Sequence, residues 1–239
     1  MARIFARHLH ALDPATQIPP ADLMPQRYRR IAPHLFTPEE ITSLMAAAAA
    51  LRHPLRALNY TTLIGLLAVT GMRVGEACRL DRTDIDWDAG VLTIRAGKLG
   101  KAREVPVHPS TARALHAYDE RRDQLQPVTR TPAFFVNTHG SRLDAHHVSE
   151  TFAQLRDAAG IRPATGGRKP RIHDLRHTFC LATMLDWYRA GADIQAQLPL
   201  LSTYLGHVDP VSTYWYLQAA PELLTLAAGR LDAFLGELP

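Results

Sequence analysis

A change of hydrophobic period between Asp84 and Val107 constrains the fold of this chain more than any other feature of its sequence. Apolar residues on both sides recur at helical spacing, whereas this stretch contains short apolar runs separated by turn residues. The apolar segments are Ile85 with Trp87, Val91–Ile94 and Val105–Val107, and the turns between them contain Gly90 and Gly97–Lys101. We therefore predict three short antiparallel strands inside a chain that is otherwise mainly α-helical.

Capping residues mark where the helices begin and end. Thr37-Pro38-Glu39-Glu40 combines a capping threonine, a proline at the first helical position and a glutamate that closes a capping box. A more apolar helix is expected from about Leu55 to Val69, ended by Gly71. Further helices are expected at about 74–80, 110–124, 144–159, 173–190, 194–205, 210–218 and 221–235, with Ser110 and Asp144 as caps. We predict one globular domain over residues 36–239, preceded at 1–35 by a linker or the remnant of another domain.

Composition limits the classes of function. With 239 residues and 46% apolar content the chain can bury one substantial core, and its net charge of +4 is only mildly basic. The charge is uneven, because residues 95–130 hold eight basic and four acidic side chains, and residues 156–176 hold six and two. The middle of the chain therefore suits a polyanion. It contains no phosphate-binding loop and no dinucleotide fingerprint.

The cysteines and the apolar runs indicate the compartment. Cys78 and Cys180 lie in apolar helical contexts without the spacing of metal ligands, so we expect buried, reduced thiols. Neither a signal peptide nor an apolar run long enough to cross a bilayer is present, since Thr61–Val69 is short. We expect a cytoplasmic protein without a membrane partner.

Two arginine motifs carry the groups that metal-free phosphodiester cleavage requires. Such a reaction needs fixed cations for the phosphate oxygens, an oxygen nucleophile and a proton donor. Arg73 lies between Gly71 and Gly75, and Glu76 follows three residues later, on the side where it can hold the guanidinium. His173 and Arg176 share a face near a helix N-terminus, where anions are favoured.

Two histidines and a tyrosine complete the set of candidates. His177 follows His173 by one turn, and we interpret it as a packing or buttressing residue rather than as a zinc ligand with Cys180, because no second ligand pair follows. Near the C-terminus, Leu205-Gly206-His207 is followed nine residues later by Tyr216. We interpret Tyr216 as a nucleophile that attacks a phosphate.

In this order and spacing the motifs resemble the catalytic domain of the tyrosine recombinases, the phage integrase family, over about residues 36–239. The resemblance implies a mainly α fold with a small three-stranded antiparallel sheet. It also implies the roles of six residues. Arg73 and Arg176 would clamp the phosphate, and His173 and His207 would be the two histidines of the site. Lys98 would be the general acid, and Tyr216 the nucleophile. Lys101 remains the rival of Lys98, and Tyr214 the rival of Tyr216.

The resemblance also implies a mechanism and partners. Tyr216 would form a 3′-phosphotyrosyl link and free a 5′-hydroxyl that attacks the partner strand, without a metal or any other cofactor. The implied partner is double-stranded DNA. Four copies of the chain would assemble on it as a homotetramer, in which the C-terminal segment 221–239 is exchanged between protomers.

The chain departs from the family pattern in two places. Family members usually carry a separate N-terminal helical clamp domain, for which residues 1–35 lack room, so we expect a truncated form, a gene remnant or a catalytic domain that acts with a partner. The interval from Arg176 to His207 is longer than in compact members, with the surplus in Trp187–Leu201. Two alternatives stay open: a type IB topoisomerase-like relaxing enzyme, and a DNA-binding remnant without recombination activity.

Overall fold

The computed structural model describes residues 2–20, 32–95, 102–163 and 167–206, and the chain divides into two compact units, Met1–Ile31 and Ala32–Pro239. The first contains helix α1, Ala2–Leu12. The described part of the second contains seven α-helices and three strands. Their bounds are α2 Pro38–Ala49, α3 Pro54–Thr70, α4 Val74–Arg79, β1 Ile85–Asp86, β2 Val91–Ile94, β3 Arg103–Pro106, α5 Pro109–Leu125, α6 Ala145–Ala158, α7 Asp174–Arg189 and α8 Ile194–Leu205.

Helix α3 is the central helix of the second unit. It packs against α2, α5 and α7, and its buried side chains cover about half of its circumference, while most of its other positions are partly buried. Pro54 starts it, and Gly71 ends it in the left-handed conformation with φ 60°. A Cβ on Gly71 would overlap the Phe179 ring in α7, so this close approach of α3 and α7 requires glycine.

The three strands form one antiparallel sheet in the order β1-β2-β3, as predicted. Leu92 pairs with Val105, and both side chains are almost fully buried in the main core. The main core also receives side chains from α2, α3, α5, α6 and the start of α7.

A second apolar cluster joins α7 to α8. Its buried members are Cys180, Leu181, Met184, Leu185, Ile194, Leu198, Leu201 and Leu205. Tyr204 packs against both clusters and stacks on Phe179 with ring centroids 5.8 Å apart. The C-terminal end of α8 is thereby held beside the C-terminal end of α3 and the strand β3.

Local caps were predicted well, and several element ends were not. The capping box at Thr37 is confirmed, and Asp144 caps α6. The prediction that Ser110 caps α5 is wrong: α5 starts at Pro109, and the Nδ1 atom of His108 accepts the backbone N–H of Ser110.

The two outer strands also differ from their predicted bounds. The third strand was expected at Val105–Val107 but begins at Arg103, because Arg103 and Glu104 pair with the end of β2. The first strand stops before Trp87, since the Asp86 carboxylate accepts the backbone N–H groups that start the turn. The predicted helices 210–218 and 221–235 lie outside the described residues.

Both cysteines are buried thiols outside any disulfide, as predicted. Within the part of the chain that the structure describes, no helix is both long and apolar enough to cross a membrane.

Candidate active site

Arg73 lies in the short connection between α3 and α4 and is held by Glu76. The Nη1 atom of Arg73 donates to Oε1 of Glu76 at 2.8 Å, and its backbone N–H donates to Oε2 at 2.8 Å. The predicted hold of Glu76 on this guanidinium is confirmed. Glu76 is 8% exposed, whereas the Arg73 side chain is 40% exposed, so the carboxylate is enclosed and the guanidinium faces outward.

Arg176, on the first turn of α7, is only 2% exposed. Its Nη1 donates to the carbonyl oxygen of Gly71 at 2.8 Å, and its Nη2 donates to that of Leu205 at 2.7 Å. Both carbonyls belong to helix C-terminal ends, which lack partners within their own helices. Arg176 therefore ties the ends of α3 and α8 to the start of α7, and a cation is favourable at both ends.

A third arginine, Arg103 on β3, was missed by the sequence analysis. Its Nη1 and Nη2 atoms donate to the two oxygens of Glu76 at 3.1 and 2.7 Å, and its Nε donates to the carbonyl of Tyr204 at 2.8 Å. A signal for it existed in the sequence. Arg103 shares a strand face with the buried Val105, so its side chain was bound to point inward and to need an anionic partner.

The electrostatics of Glu76 follow from these contacts. Burial favours the neutral form, but hydrogen bonds from Arg103 and from the backbone of Arg73 outweigh it, and the pKa of Glu76 is lowered to about 2. Glu76 is therefore ionised at neutral pH and pairs two guanidinium groups at once.

His173 lies immediately before α7, close to both predicted clamping arginines. Burial, and then the positive charges of Arg176 and Arg73, lower the pKa of its imidazole to about 4, so the ring is neutral at pH 7. The His177 ring meets it edge-on with centroids 4.9 Å apart, which supports the buttressing role predicted for His177. Among the described residues, none forms a hydrogen bond with the His173 ring.

The chain entering His173 is also fixed. Asp174 is fully buried and accepts hydrogen bonds from Nη2 of Arg168 at 2.6 Å and from the backbone of Arg171 at 2.8 Å. The loop before α7 is thus tied to the first residue of that helix.

The three arginines converge on the end of α8. Its last carbonyls accept in succession: Tyr204 from Arg103, Leu205 from Arg176, and Gly206 from Nη2 of Arg73 at 3.3 Å. Gly206 caps the helix with φ 65° and leads directly to residue 207.

The structure brings together three of the six predicted site residues, Arg73, His173 and Arg176. The other three, Lys98, His207 and Tyr216, lie outside the described residues, and so do their rivals Lys101 and Tyr214. Their roles stay predictions.

The comparisons with known proteins agree on one family. The family model described as "Phage integrase family" matches residues 34–222. The chain belongs to the phage integrase family. An integrase/recombinase of Sinorhizobium fredii is 45% identical over 96% of this chain and 75% of the relative, and the tyrosine recombinase XerD of Mycobacterium tuberculosis is 35% identical over 88% and 63%.

Solved structures give the same fold. The XerA recombinase matches with a TM-score of 0.65 at 25% identity, covering 99% of this chain and 75% of that one. A lambda integrase tetramer bound to a Holliday junction matches with a TM-score of 0.61 at 20% identity, covering 90% and 56%. The predicted fold and the classification of the chain as a tyrosine recombinase are confirmed.

Proposed function

We propose that this chain is a site-specific DNA recombinase that cleaves and rejoins strands through a 3′-phosphotyrosyl intermediate. One observation carries the proposal: Arg73 lies far in the sequence from the neighbouring residues His173 and Arg176, yet all three meet at the end of α8, immediately before residue 207. This is the arrangement of fixed cations and a neutral imidazole that phosphoryl transfer without a metal requires.

The arginines supply the charge for the transition state. Guanidinium groups never deprotonate and can donate two parallel hydrogen bonds to phosphate oxygens. The exposed Arg73 side chain presents its charge outward, and Arg176 is rigidly anchored at the base of the site. Because both are held before substrate arrives, little reorganisation opposes their action on the developing charge.

His173 and the remaining predicted residues supply the proton transfers. A neutral His173 can accept a proton or a hydrogen bond, and a bound phosphate would raise its pKa back towards its usual value. Tyr216 is proposed as the nucleophile and Lys98 as the acid for the leaving 5′-oxygen. His207 is proposed as the second histidine of the site.

Double-stranded DNA is the proposed substrate and partner, with a homotetramer as the active assembly. The lambda integrase tetramer bound to a Holliday junction has the same fold and supports this proposal. Two buried thiols outside any disulfide support the cytoplasmic location expected from the sequence. The boundary of the catalytic domain at residues 36–239 remains part of the proposal.

Trapping the intermediate tests this function. A pool of random-sequence duplexes, nicked at random positions so that short 5′-hydroxyl fragments diffuse away, is incubated with the protein and separated under denaturing conditions. We expect a covalent adduct with the wild type and with Tyr214→Phe, and none with Tyr216→Phe. The bound fragments are then sequenced to identify the preferred duplex.

Each contrary outcome has a definite meaning. An adduct that survives Tyr216→Phe and disappears in Tyr214→Phe would reassign the nucleophile. Binding without any adduct in the wild type would contradict the proposed activity and favour a DNA-binding remnant. Exchange of strands between two differently labelled duplexes separates a recombinase from a topoisomerase-like enzyme, which reseals only the strand it cut.

A further inference from the structure

Arg103 has no role in the proposed chemistry, yet its guanidinium is held by groups of the site through all three kinds of nitrogen. It donates three hydrogen bonds from three different nitrogens, two to Glu76 and one to the carbonyl of Tyr204. Its side chain is 15% exposed, against 40% for Arg73. With its Nε and both Nη atoms donating to protein groups and its fork occupied by a carboxylate, the Arg103 guanidinium is poorly placed to bind a phosphate.

The contacts of Arg103 fix the orientation of the Glu76 carboxylate. Each oxygen of Glu76 accepts one hydrogen bond from Arg103 and one from Arg73, the latter using its guanidinium for Oε1 and its backbone for Oε2. The Nη1 and Nη2 atoms of Arg103 can both bond the Glu76 carboxylate only when that carboxylate lies in the plane of the guanidinium. The orientation of the carboxylate in turn sets the position of Oε1, and therefore the position of the Arg73 guanidinium that donates to it.

Arg103 also fixes the end of α8. Its Nε donates to Tyr204, and a Cβ placed on Gly206 would lie 2.9 Å from its Nη1, so the backbone passes directly against the guanidinium. The chain that leaves α8 towards residue 207 therefore starts from a point defined by β3.

We propose that Arg103 is a positioning residue for strand cleavage, which links β3, the Glu76 carboxylate that holds Arg73, and the last turn of α8 into one rigid unit. This inference rests on the proposed recombinase function. Arg103 acts through Glu76 and the α8 backbone, so its loss should lower the rate of the chemical step more than the affinity for DNA.

The test uses the duplex captured by the wild type in the adduct experiment. For Arg103→Ala we measure the equilibrium affinity for that duplex and, at saturating protein, the single-turnover rate constant of adduct formation. We expect the rate constant to fall by about 10- to 100-fold, as for other small displacements of reacting groups. We expect the affinity to change by less than about threefold, since phosphate contacts dominate it.

Three further variants separate positioning from charge and from stability. Arg103→Lys keeps the charge but cannot form the fork, so it should stay within about threefold of Arg103→Ala. Adding Arg103→Ala to Glu76→Gln should slow the reaction by a smaller factor than Arg103→Ala does alone, because part of the effect of Arg103 passes through Glu76. The matched control is Arg142→Ala, since Arg142 also bonds a carboxylate and a backbone carbonyl, at Asp81 and Cys78, and should keep the wild-type rate constant.

Several results would overturn the inference. The first is a wild-type rate constant in Arg103→Ala, and the second is an Arg103→Ala variant that loses affinity for the duplex but not rate. The third is an Arg142→Ala variant whose rate constant falls as much as that of Arg103→Ala when both melting temperatures fall equally. If Arg103→Ala does not fold, a wild-type rate constant in Arg103→Lys overturns it as well. A wild type that forms no adduct overturns the proposed function and this inference with it, whereas an active wild type with an equally active Arg103→Ala overturns the inference alone.

Discussion

Replacing Glu76 by glutamine tests the electrostatic centre of the site. The carboxylate accepts four hydrogen bonds, two from Arg73 and two from Arg103, and it is 8% exposed. A carboxamide would present N–H donors to guanidinium groups that are donors only, and would leave two cations without an anion. We expect a clear loss of stability from this one substitution.

The size of the loss follows from the pKa of Glu76. The interval between 4.5 and about 2 corresponds to about 3 kcal/mol in favour of the charged form. Solvent at the exposed Arg73 side chain screens part of this, so we expect Glu76→Gln to lower the free energy of unfolding by about 2 kcal/mol at pH 7. For a domain of this size the melting temperature should fall by roughly 4–8 °C.

Urea unfolding at several pH values measures this loss. A carboxylate with a depressed pKa stabilises the fold above the unfolded-state pKa, and the stabilisation disappears as the pH falls from 4.5 towards 2. The wild type should therefore lose about 1 kcal/mol of this contribution by pH 3.5, and the gap to the variant should narrow accordingly. Glu120→Gln, on an exposed side chain of α5, is the control and should change stability by less than about 0.5 kcal/mol. A gap that stays constant from pH 7 to pH 3.5 would refute the reasoning.

Three further predictions concern the surroundings of Glu76. Arg176→Lys should lower the free energy of unfolding by about 2 kcal/mol and slow adduct formation by about 100-fold, because one ammonium cannot bond two helix-end carbonyls; urea unfolding and the adduct assay measure both. The wild type should lose stability as the pH falls from 6.5 to about 4, because His173 binds a proton there in the unfolded state but not in the folded state. His173→Gln should remove this part of the pH dependence, and unfolding curves across that range check it. Gly71→Ala should lower the free energy of unfolding by roughly 3 kcal/mol, because alanine is strained in the left-handed conformation and its Cβ overlaps Phe179. Gly160 also has a positive φ but has no atom near an added Cβ, so Gly160→Ala should lower it by only about 1 kcal/mol in the same thermal melts.

The sequence was informative wherever an interaction spans only a few residues. Glu40 closing the box at Thr37, Gly71 ending α3 and Glu76 holding Arg73 all depend on helical spacing of three or four positions, and all are confirmed. Such contacts are determined by local backbone geometry, which recurs from protein to protein.

The contacts that bring the site together could not be predicted in this way. Arg103 meets Glu76 across 27 positions, and Arg176 meets Gly71 across 105. These distances are closed by the packing of whole helices, which no local pattern encodes. The sheet shows the same limit, because β3 was placed from its apolar residues alone although Arg103 and Glu104 also pair with β2.

A carboxylate inside the proposed phosphate-binding site would by itself repel the substrate. In the described part of this site, however, Arg73, Arg103 and Arg176 accompany Glu76, and the second carboxylate, Asp174, is paired with Arg168, so the cluster keeps an excess of two positive charges. Without Glu76, the two guanidinium groups that now share it would repel each other and lose their common orientation. With it, one of them is fixed on the α8 backbone while the other faces outward in a defined direction. Glu76 thus weakens the attraction of the site for phosphate, but it keeps the Arg73 guanidinium in place before the substrate arrives.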